Sequence, residues 1–272
     1  MTPAAHIAAA IEILDLILRG ERAEASLTRW ARSNRFAGSG DRSAIRDIVF
    51  DALRQKKSLT KRTKKISGRS WVIALLYKRE VDLDKYFGVS RYSPPKLKKS
   101  ELDFLPLEND CDFYDIPDWL WSKWQETLGG EAKNVANTLK ERANIFLRVN
   151  ITKCARKDAI QFLKKDGIIS KLHPTVATAL ILNKGTRNIK NSEAYNSGLV
   201  ELQDASSQAS ILQLSTDQNG PILDYCAGGG GKALALSAYF NKPIFAHDSN
   251  LLRMKDVPKR ARRSGADIRI IK

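Results

Sequence analysis

The sequence predicts an α/β protein containing the first half of a Rossmann-like sheet, preceded by an all-α domain and a small α+β module. Three observations support this fold class. Apolar residues recur at helical spacing near the start, strand-like and helix-like segments alternate from Asn144, and residues 221–240 join a short apolar strand to four glycines and a helix. With 272 residues, 43% of them hydrophobic, the chain is long enough for two domains.

The first predicted helix has clear signals at both ends. Thr2 and Pro3 supply an N-cap and a first-turn proline, the apolar residues from Ile7 to Leu18 share one face, and Gly20 offers a stop. Two further helices follow, and the third has its own apolar stripe. The N-terminal part is therefore predicted to be a helical bundle.

Positive charge dominates the composition. Lysine and arginine number 46 against 30 acidic residues, which gives a net charge of +16 and a pI near 9.8. Such an excess attracts polyanions through counterion release, so nucleic acid is the predicted partner class. A basic protein without such a partner has the same composition, and charge alone leaves that alternative open.

The charge is densest around and after the third predicted helix. Residues 54–69, RQKKSLTKRTKKISGR, contain no acidic residue. This run is predicted to contact RNA phosphates, because such contacts require charge density rather than a fixed geometry, although a solvated helix face explains it equally well. The candidate RNA-binding residues are Arg42, Arg46, Lys56, Lys57, Lys61, Arg62, Lys64 and Lys65.

The three cysteines are far apart and show no paired spacing, so neither a disulfide framework nor a metal site is predicted. Glu12 and Asp15 interrupt the apolar opening segment, and no run approaches the length of a membrane span. The expectation is a soluble, cytoplasmic and monomeric protein.

Changes of pattern predict four parts. These are a helical domain over residues 1–90, a proline-containing linker with a linking helix over 91–140, a small α+β module over 141–200, and a cofactor-binding half-sheet over 201–272. The α+β module is indicated by β-rich IFLRVNI, the amphipathic helix ARKDAIQFLKKDG and β-like ATALILN.

The segment PILDYCAGGGGKALALSAYF is the strongest functional signal. Glycines between a strand and a helix permit positive φ and let a ligand approach the main chain at the helix N-terminus. A phosphate-binding P-loop is disfavoured, because Cys226 stands where its first glycine belongs and Ala233 replaces its Ser/Thr. The next strand, PIFAHD, ends at Asp248, which is predicted to bind a ribose, with a helix N-cap as the alternative role.

These residues carry a resemblance. LDYCAGGGGKALAL and AHDSNLLRMKDVPKRARRSGA resemble the first two cofactor motifs of the bacterial Nop/Sun methyltransferases, a group that includes RsmB-type enzymes of small-subunit ribosomal RNA. RANIFLRVN and GLVELQDASSQ resemble upstream segments of the same family. The resemblance spans about residues 115–272, and residues 1–90 resemble its NusB-like RNA-binding domain more loosely.

The resemblance implies methylation of RNA cytosine at carbon five, with S-adenosylmethionine as cofactor. It places Asp248 on the ribose and Arg253 at the pocket, where a surface ion pair is an equal alternative for Arg253. Lys232 is expected on the methionine carboxylate or on the RNA. The implied cofactor residues are Cys226, Ala227, Gly228, Gly229, Gly230, Gly231, Lys232, Asp248 and Arg253.

The family's nucleophile is a cysteine thiolate that adds to cytosine. Its Pro-Cys signature is expected beyond Lys272, and this chain alone is expected to be inactive, since Cys226 should pack beside the cofactor. Two other functions use the same features: a non-catalytic RNA-binding protein with a vestigial cofactor domain, and a nicotinamide dehydrogenase. The dehydrogenase leaves the basic charge unexplained.

Overall fold

The computed structural model describes residues 1–185, 188–215, 217 and 219–271. The chain divides into two compact units, residues 1–143 and 144–272. The predicted linker and linking helix therefore fall inside the first unit. Among the described helices, none combines the length and the apolar character that a membrane crossing requires.

Every regular element described in the first unit is helical. Its α-helices are α1 (Pro3–Leu18), α2 (Ala23–Ser33), α3 (Ser39–Arg54), α4 (Lys56–Arg62), α5 (Gly68–Lys78), α6 (Asp110–Phe113), α7 (Asp118–Leu128) and α8 (Glu131–Lys140).

Helix α1 lies against α3 and α5. It begins as predicted, because the Thr2 hydroxyl accepts a hydrogen bond from the Ala5 amide and proline follows the cap. Trp71 of α5 is fully buried against the α1 side. Gly68 permits this approach, since a Cβ there would lie 2.3 Å from the Ile11 carbonyl oxygen. The bundle core therefore forms around α1.

The second unit begins with an antiparallel sheet. Its strands are β1 (Ile145–Val149), β2 (Ile169–Leu172), β3 (Ala179–Lys184) and β4 (Val200–Leu202), with helices α9 (Arg156–Lys165) and α10 (Glu193–Asn196) in the connections. The strand order is β2-β3-β1-β4. This β-α-β-β-α-β order is the ferredoxin-like arrangement. It places β1 in the interior of the sheet.

A parallel sheet follows in the order β5-β6-β7. Its elements are α11 (Ala205–Leu212), β5 (Ile222–Asp224), α12 (Gly231–Phe240), β6 (Ile244–Ala246), α13 (Val257–Ser264) and β7 (Ile268–Ile270). Ile222 pairs with Ile244 and Ile244 with Ile268, so three short strands run side by side. The predicted β-α-β-α-β order is present, and the carboxyl ends of β5 and β6 share one edge.

Candidate cofactor site and cationic surfaces

The glycine turn connects β5 to α12 in a left-handed conformation. Gly228 has φ +52° and Gly230 has φ +78°, a region that residues with a Cβ rarely adopt. The turn is fixed to β6, because the Ala227 amide donates to the His247 carbonyl and the His247 amide donates to the Asp224 carbonyl, each at 2.9 Å. The sequence thus folds into a turn that is hydrogen-bonded to the chain at the carboxyl end of β6.

The turn is tightly packed at Gly230 and presents main-chain donors. A Cβ on Gly230 would lie 2.9 Å from a Val257 methyl group. Within the described part of the chain, the N–H groups of Gly229, Gly231 and Lys232 donate no hydrogen bond. Because α12 begins at Gly231, these donors lie at the positive end of a helix, where an anionic group binds favourably.

Asp248 closes the turn from the β6 side. Its buried carboxylate accepts hydrogen bonds from the Gly228 amide at 2.9 Å and the Asn250 amide at 3.0 Å, and pairs with Arg253 at 3.2 Å. These contacts, first the Asn250 N–H and then the Gly228 N–H and Arg253, hold the pKa of Asp248 below its ordinary value. Asp248 and Arg253 therefore meet at the turn. The helical turn that follows is capped by Asn250, so Asp248 is not its N-cap.

Asp224, at the end of β5, is a candidate site residue that was not predicted from the sequence. One of its carboxylate oxygens, Oδ2, is buried and has no hydrogen-bond partner among the described residues. Burial raises the pKa of this carboxyl. The charge of Lys232 and the Ala233 N–H oppose that rise, and the charge of Asp248 adds a smaller increase. An acidic residue that ends an apolar strand just before a glycine turn was the signal available in the sequence.

A buried arginine supports the turn from the antiparallel sheet. Arg148 of β1 is 5% exposed and donates to the Gly231 carbonyl at 2.7 Å and to Gln203 Oε1 at 2.6 Å. Burial lowers its pKa to about 10. Arg148 thus connects the ferredoxin-like sheet to the first residue of α12.

A second connection runs through Glu201 of β4. Its buried carboxylate pairs with Arg260 at 3.3 Å and with Arg263 at 2.6 Å, both on α13. Arg260 also donates to the Gly229 carbonyl. The two sheets of the second unit therefore hold the turn jointly.

The predicted RNA-binding residues divide into two groups. Arg46 pairs with Glu24, Lys64 with Asp103, and Lys57 with Asp112 and Asp118. Arg62 lies over the ring of Phe104. In the part of the chain that the structure describes, the remaining four side chains form no hydrogen bond or ion pair, and these are Arg42, Lys56, Lys61 and Lys65.

The group Cys111, Asp112 and Asp118 brings three potential metal-ligating atoms within 4.8 Å of one another. The ammonium nitrogen of Lys57 lies among these side chains, 3.0 Å from the Asp112 carboxylate and 2.5 Å from the Asp118 carboxylate. An internal cation therefore already neutralises these carboxylates.

A glycine turn at the carboxyl ends of parallel strands, with an acidic residue on the next strand, is typical of α/β proteins that bind a nucleotide-containing cofactor. Residues 116–189 match the family model described as Methyltr_RsmF/B-like, ferredoxin-like domain. The chain is 27% identical over 175 residues to ribosomal RNA small subunit methyltransferase B of Vibrio vulnificus, covering 64% of this chain and 41% of that protein. It is 28% identical over 157 residues to the protein of the same name from Cronobacter sakazakii, covering 57% and 36%.

Two solved structures share the fold. The crystal structure of PH0851 aligns with all of this chain and 69% of its own, at a TM-score of 0.69 and 18% identity. A methyltransferase homolog protein from Pyrococcus horikoshii aligns with 59% of this chain and 54% of its own, at a TM-score of 0.53 and 21% identity. These comparisons confirm the predicted resemblance. The chain spans about two fifths of the length of the curated relatives it matches.

Proposed function

We propose that this chain forms the RNA-binding and cofactor-binding parts of an S-adenosylmethionine-dependent methyltransferase acting on carbon five of cytosine in small-subunit ribosomal RNA. The proposal takes residues 1–90 as a NusB-like RNA-binding domain and residues 201–272 as the first half of a Rossmann-like methyltransferase fold in a cytoplasmic monomer. The observation that carries it is the glycine turn with Asp248 at the carboxyl edge of the parallel sheet. The names of the curated relatives support the RNA substrate.

The chemistry of the donor set fits this cofactor. The N–H groups of Gly229, Gly231 and Lys232 would hold the methionine carboxylate, and Asp224, whose buried Oδ2 has no partner among the described residues, would hold the ammonium group. Asp248 would accept the ribose hydroxyls, exchanging its Arg253 contact for them. When bound, the cofactor supplies an electrophilic methyl group on its sulfonium.

The proposal gives this chain's residues the tasks of binding and orientation, and it assigns none of the three cysteines as the nucleophile. Burial raises the pKa of Cys111 and of Cys154, which disfavours their thiolates. Cys226 is exposed within the cofactor turn itself. The proposal therefore places Cys226 beside the cofactor and gives it no role as the nucleophile.

Ligand-dependent thermal unfolding of the whole chain tests the proposal. All five tryptophans lie between residues 30 and 124, so tryptophan fluorescence reports only the first unit, while circular dichroism reports both. S-adenosylmethionine should raise the unfolding temperature of the second unit, which is read from circular dichroism, because a ligand stabilises the unit that binds it. The unfolding temperature read from tryptophan fluorescence should not change. ATP and NAD should raise neither. Stabilisation by NAD alone would favour a dehydrogenase and contradict the proposal.

RNA binding without methyl transfer is the second candidate. The observation that favours it is that four cationic side chains of the first unit form no hydrogen bond or ion pair with any described residue, in a unit that is compact on its own. They are Arg42, Lys56, Lys61 and Lys65. A chain that binds RNA with strong salt dependence but gains no stability from S-adenosylmethionine would match this candidate instead.

A further inference from the structure

Helices α2 and α3 border a cavity of about 660 Å³. Its floor is apolar and includes Trp30 and Ile45, both buried. Its rim carries four arginines, Arg32, Arg35, Arg42 and Arg46. Two of these arginines, Arg42 and Arg46, were predicted from the sequence, whereas the other two lie well before the dense charge of residues 54–69 and were missed.

Most of this charge has no partner in the part of the chain that the structure describes. Arg46 is held by Glu24 through two hydrogen bonds of 2.5 and 2.7 Å. Arg32, Arg35 and Arg42 are exposed and form no hydrogen bond or ion pair with any residue that the structure describes. None of the described residues that line the cavity is acidic. Three like charges around one opening repel each other until an anion neutralises them, and the planar guanidinium group matches the oxygens of a phosphate.

The volume and the apolar floor of the cavity exceed what a phosphate alone requires. A bare phosphate needs no apolar surface, whereas ligand pockets of roughly 300–1,000 Å³ enclose groups the size of a nucleotide. Trp30 and Ile45 form the buried base of the cavity, and the partly buried Ala31 and the aliphatic stems of the arginines supply its accessible apolar surface. The cavity therefore combines a phosphate-binding rim with an accessible apolar surface around Ala31.

We propose that this cavity binds one nucleotide of a single-stranded RNA segment, with the phosphate on the arginine rim and the base on the apolar surface around Ala31. The choice of RNA as the polyanion rests on the proposed function. A single strand is required, because the bases of a duplex are stacked and paired and cannot enter a pocket. The site is separate from the lysines of α4, which do not line this cavity.

Fluorescence anisotropy with a short labelled single-stranded RNA tests the rim. The variant Arg32→Gln/Arg35→Gln/Arg42→Gln should bind more weakly, and the slope of log Kd against log salt should fall by about 0.7 for each phosphate that the variant no longer neutralises. The matched control, Arg19→Gln/Lys157→Gln/Lys164→Gln, removes the same charge from exposed side chains outside the cavity. It should keep the slope. Equally weakened binding by both variants would overturn the proposal.

The variant Ala31→Met tests the apolar surface, since it fills part of the cavity and leaves every charge in place. Single-stranded RNA should bind on the order of tenfold more weakly, the reduction expected when one base is excluded from its pocket, while a duplex of the same sequence should be unaffected. Unchanged single-strand binding by a variant with normal tryptophan fluorescence would overturn the proposal. If Ala31→Met does not fold, the triple arginine variant still tests the proposal, because its three substitutions are at exposed side chains.

The proposed function can fail separately. Stabilisation by S-adenosylmethionine is read from the second unit, whereas all cavity residues lie in the first. A chain that binds RNA as expected but does not bind the cofactor would contradict the methyltransferase proposal and leave the cavity proposal intact.

Discussion

Arg148 donates a hydrogen bond of 2.7 Å to the main-chain carbonyl oxygen of Gly231, the residue at which α12 begins. The donor lies on an interior strand of the ferredoxin-like sheet, and the acceptor lies on the glycine turn of the parallel sheet. A charged side chain is buried here at a desolvation cost, offset by its hydrogen bonds to Gly231 and Gln203. The small α+β module therefore stabilises the turn directly.

Arg148→Met should lower the free energy of unfolding of the second unit by about 2 kcal/mol, because the Gly231 and Gln203 oxygens lose a charged donor. Urea unfolding followed by circular dichroism should show the shift, and tryptophan fluorescence should not. Arg269→Met removes an exposed arginine on β7 and should change neither curve. An unchanged dichroism curve for Arg148→Met would show that the contact is energetically neutral.

Gly230→Ala should destabilise the second unit by about 1–3 kcal/mol, since alanine at φ +78° is strained and its Cβ would lie 2.9 Å from Val257. Gly220→Ala is the matched control, because a Cβ there meets no atom within 4 Å. It should be neutral or slightly stabilising. Equal thermal stability of the two variants would mean that the turn adopts another conformation in solution.

Asp224→Asn should raise the unfolding temperature of the ligand-free chain at pH 7. A carboxyl whose folded-state pKa is raised contributes stability below its unfolded pKa of about 3.9 and loses it as pH rises through the folded value. The gain from asparagine should therefore vanish near pH 3.5. Asp267→Asn, at an exposed carboxyl, should show no such gain at pH 7. A gain independent of pH would refute the assigned cause.

Substitutions of Lys57 and Lys56, which are neighbours on α4, should have different effects on stability and on RNA binding. Lys57→Met leaves the buried Asp112 carboxylate without its cation and should destabilise the first unit by about 3 kcal/mol, read from tryptophan fluorescence. Lys56→Met should leave stability unchanged and weaken RNA binding, since Lys56 has no internal partner among the described residues. The reverse assignment of the two effects would contradict the contacts seen around α4.

The features that could be predicted from the sequence are local. The Thr2 cap, the glycine turn and Asp248, two residues after β6, lie within a few residues of the elements they adjoin. The contacts that could not be predicted join distant residues. Arg148 meets Gly231 across 83 positions, and Lys57 meets Asp118 across 61, so a lysine that looked free in the sequence is part of an internal ion pair.

Calorimetric titration with S-adenosylmethionine tests the central claim most directly, using Gly231→Asp and the matched Gly220→Asp. Neither glycine has positive φ, and a Cβ at Gly231 meets nothing closer than 3.8 Å, so both variants should fold. The new carboxylate at position 231 would occupy the N–H groups that the cofactor needs. We expect binding by the wild-type chain and by Gly220→Asp, and none by Gly231→Asp. No binding by a folded wild-type chain, or equal binding by both variants, would contradict the account.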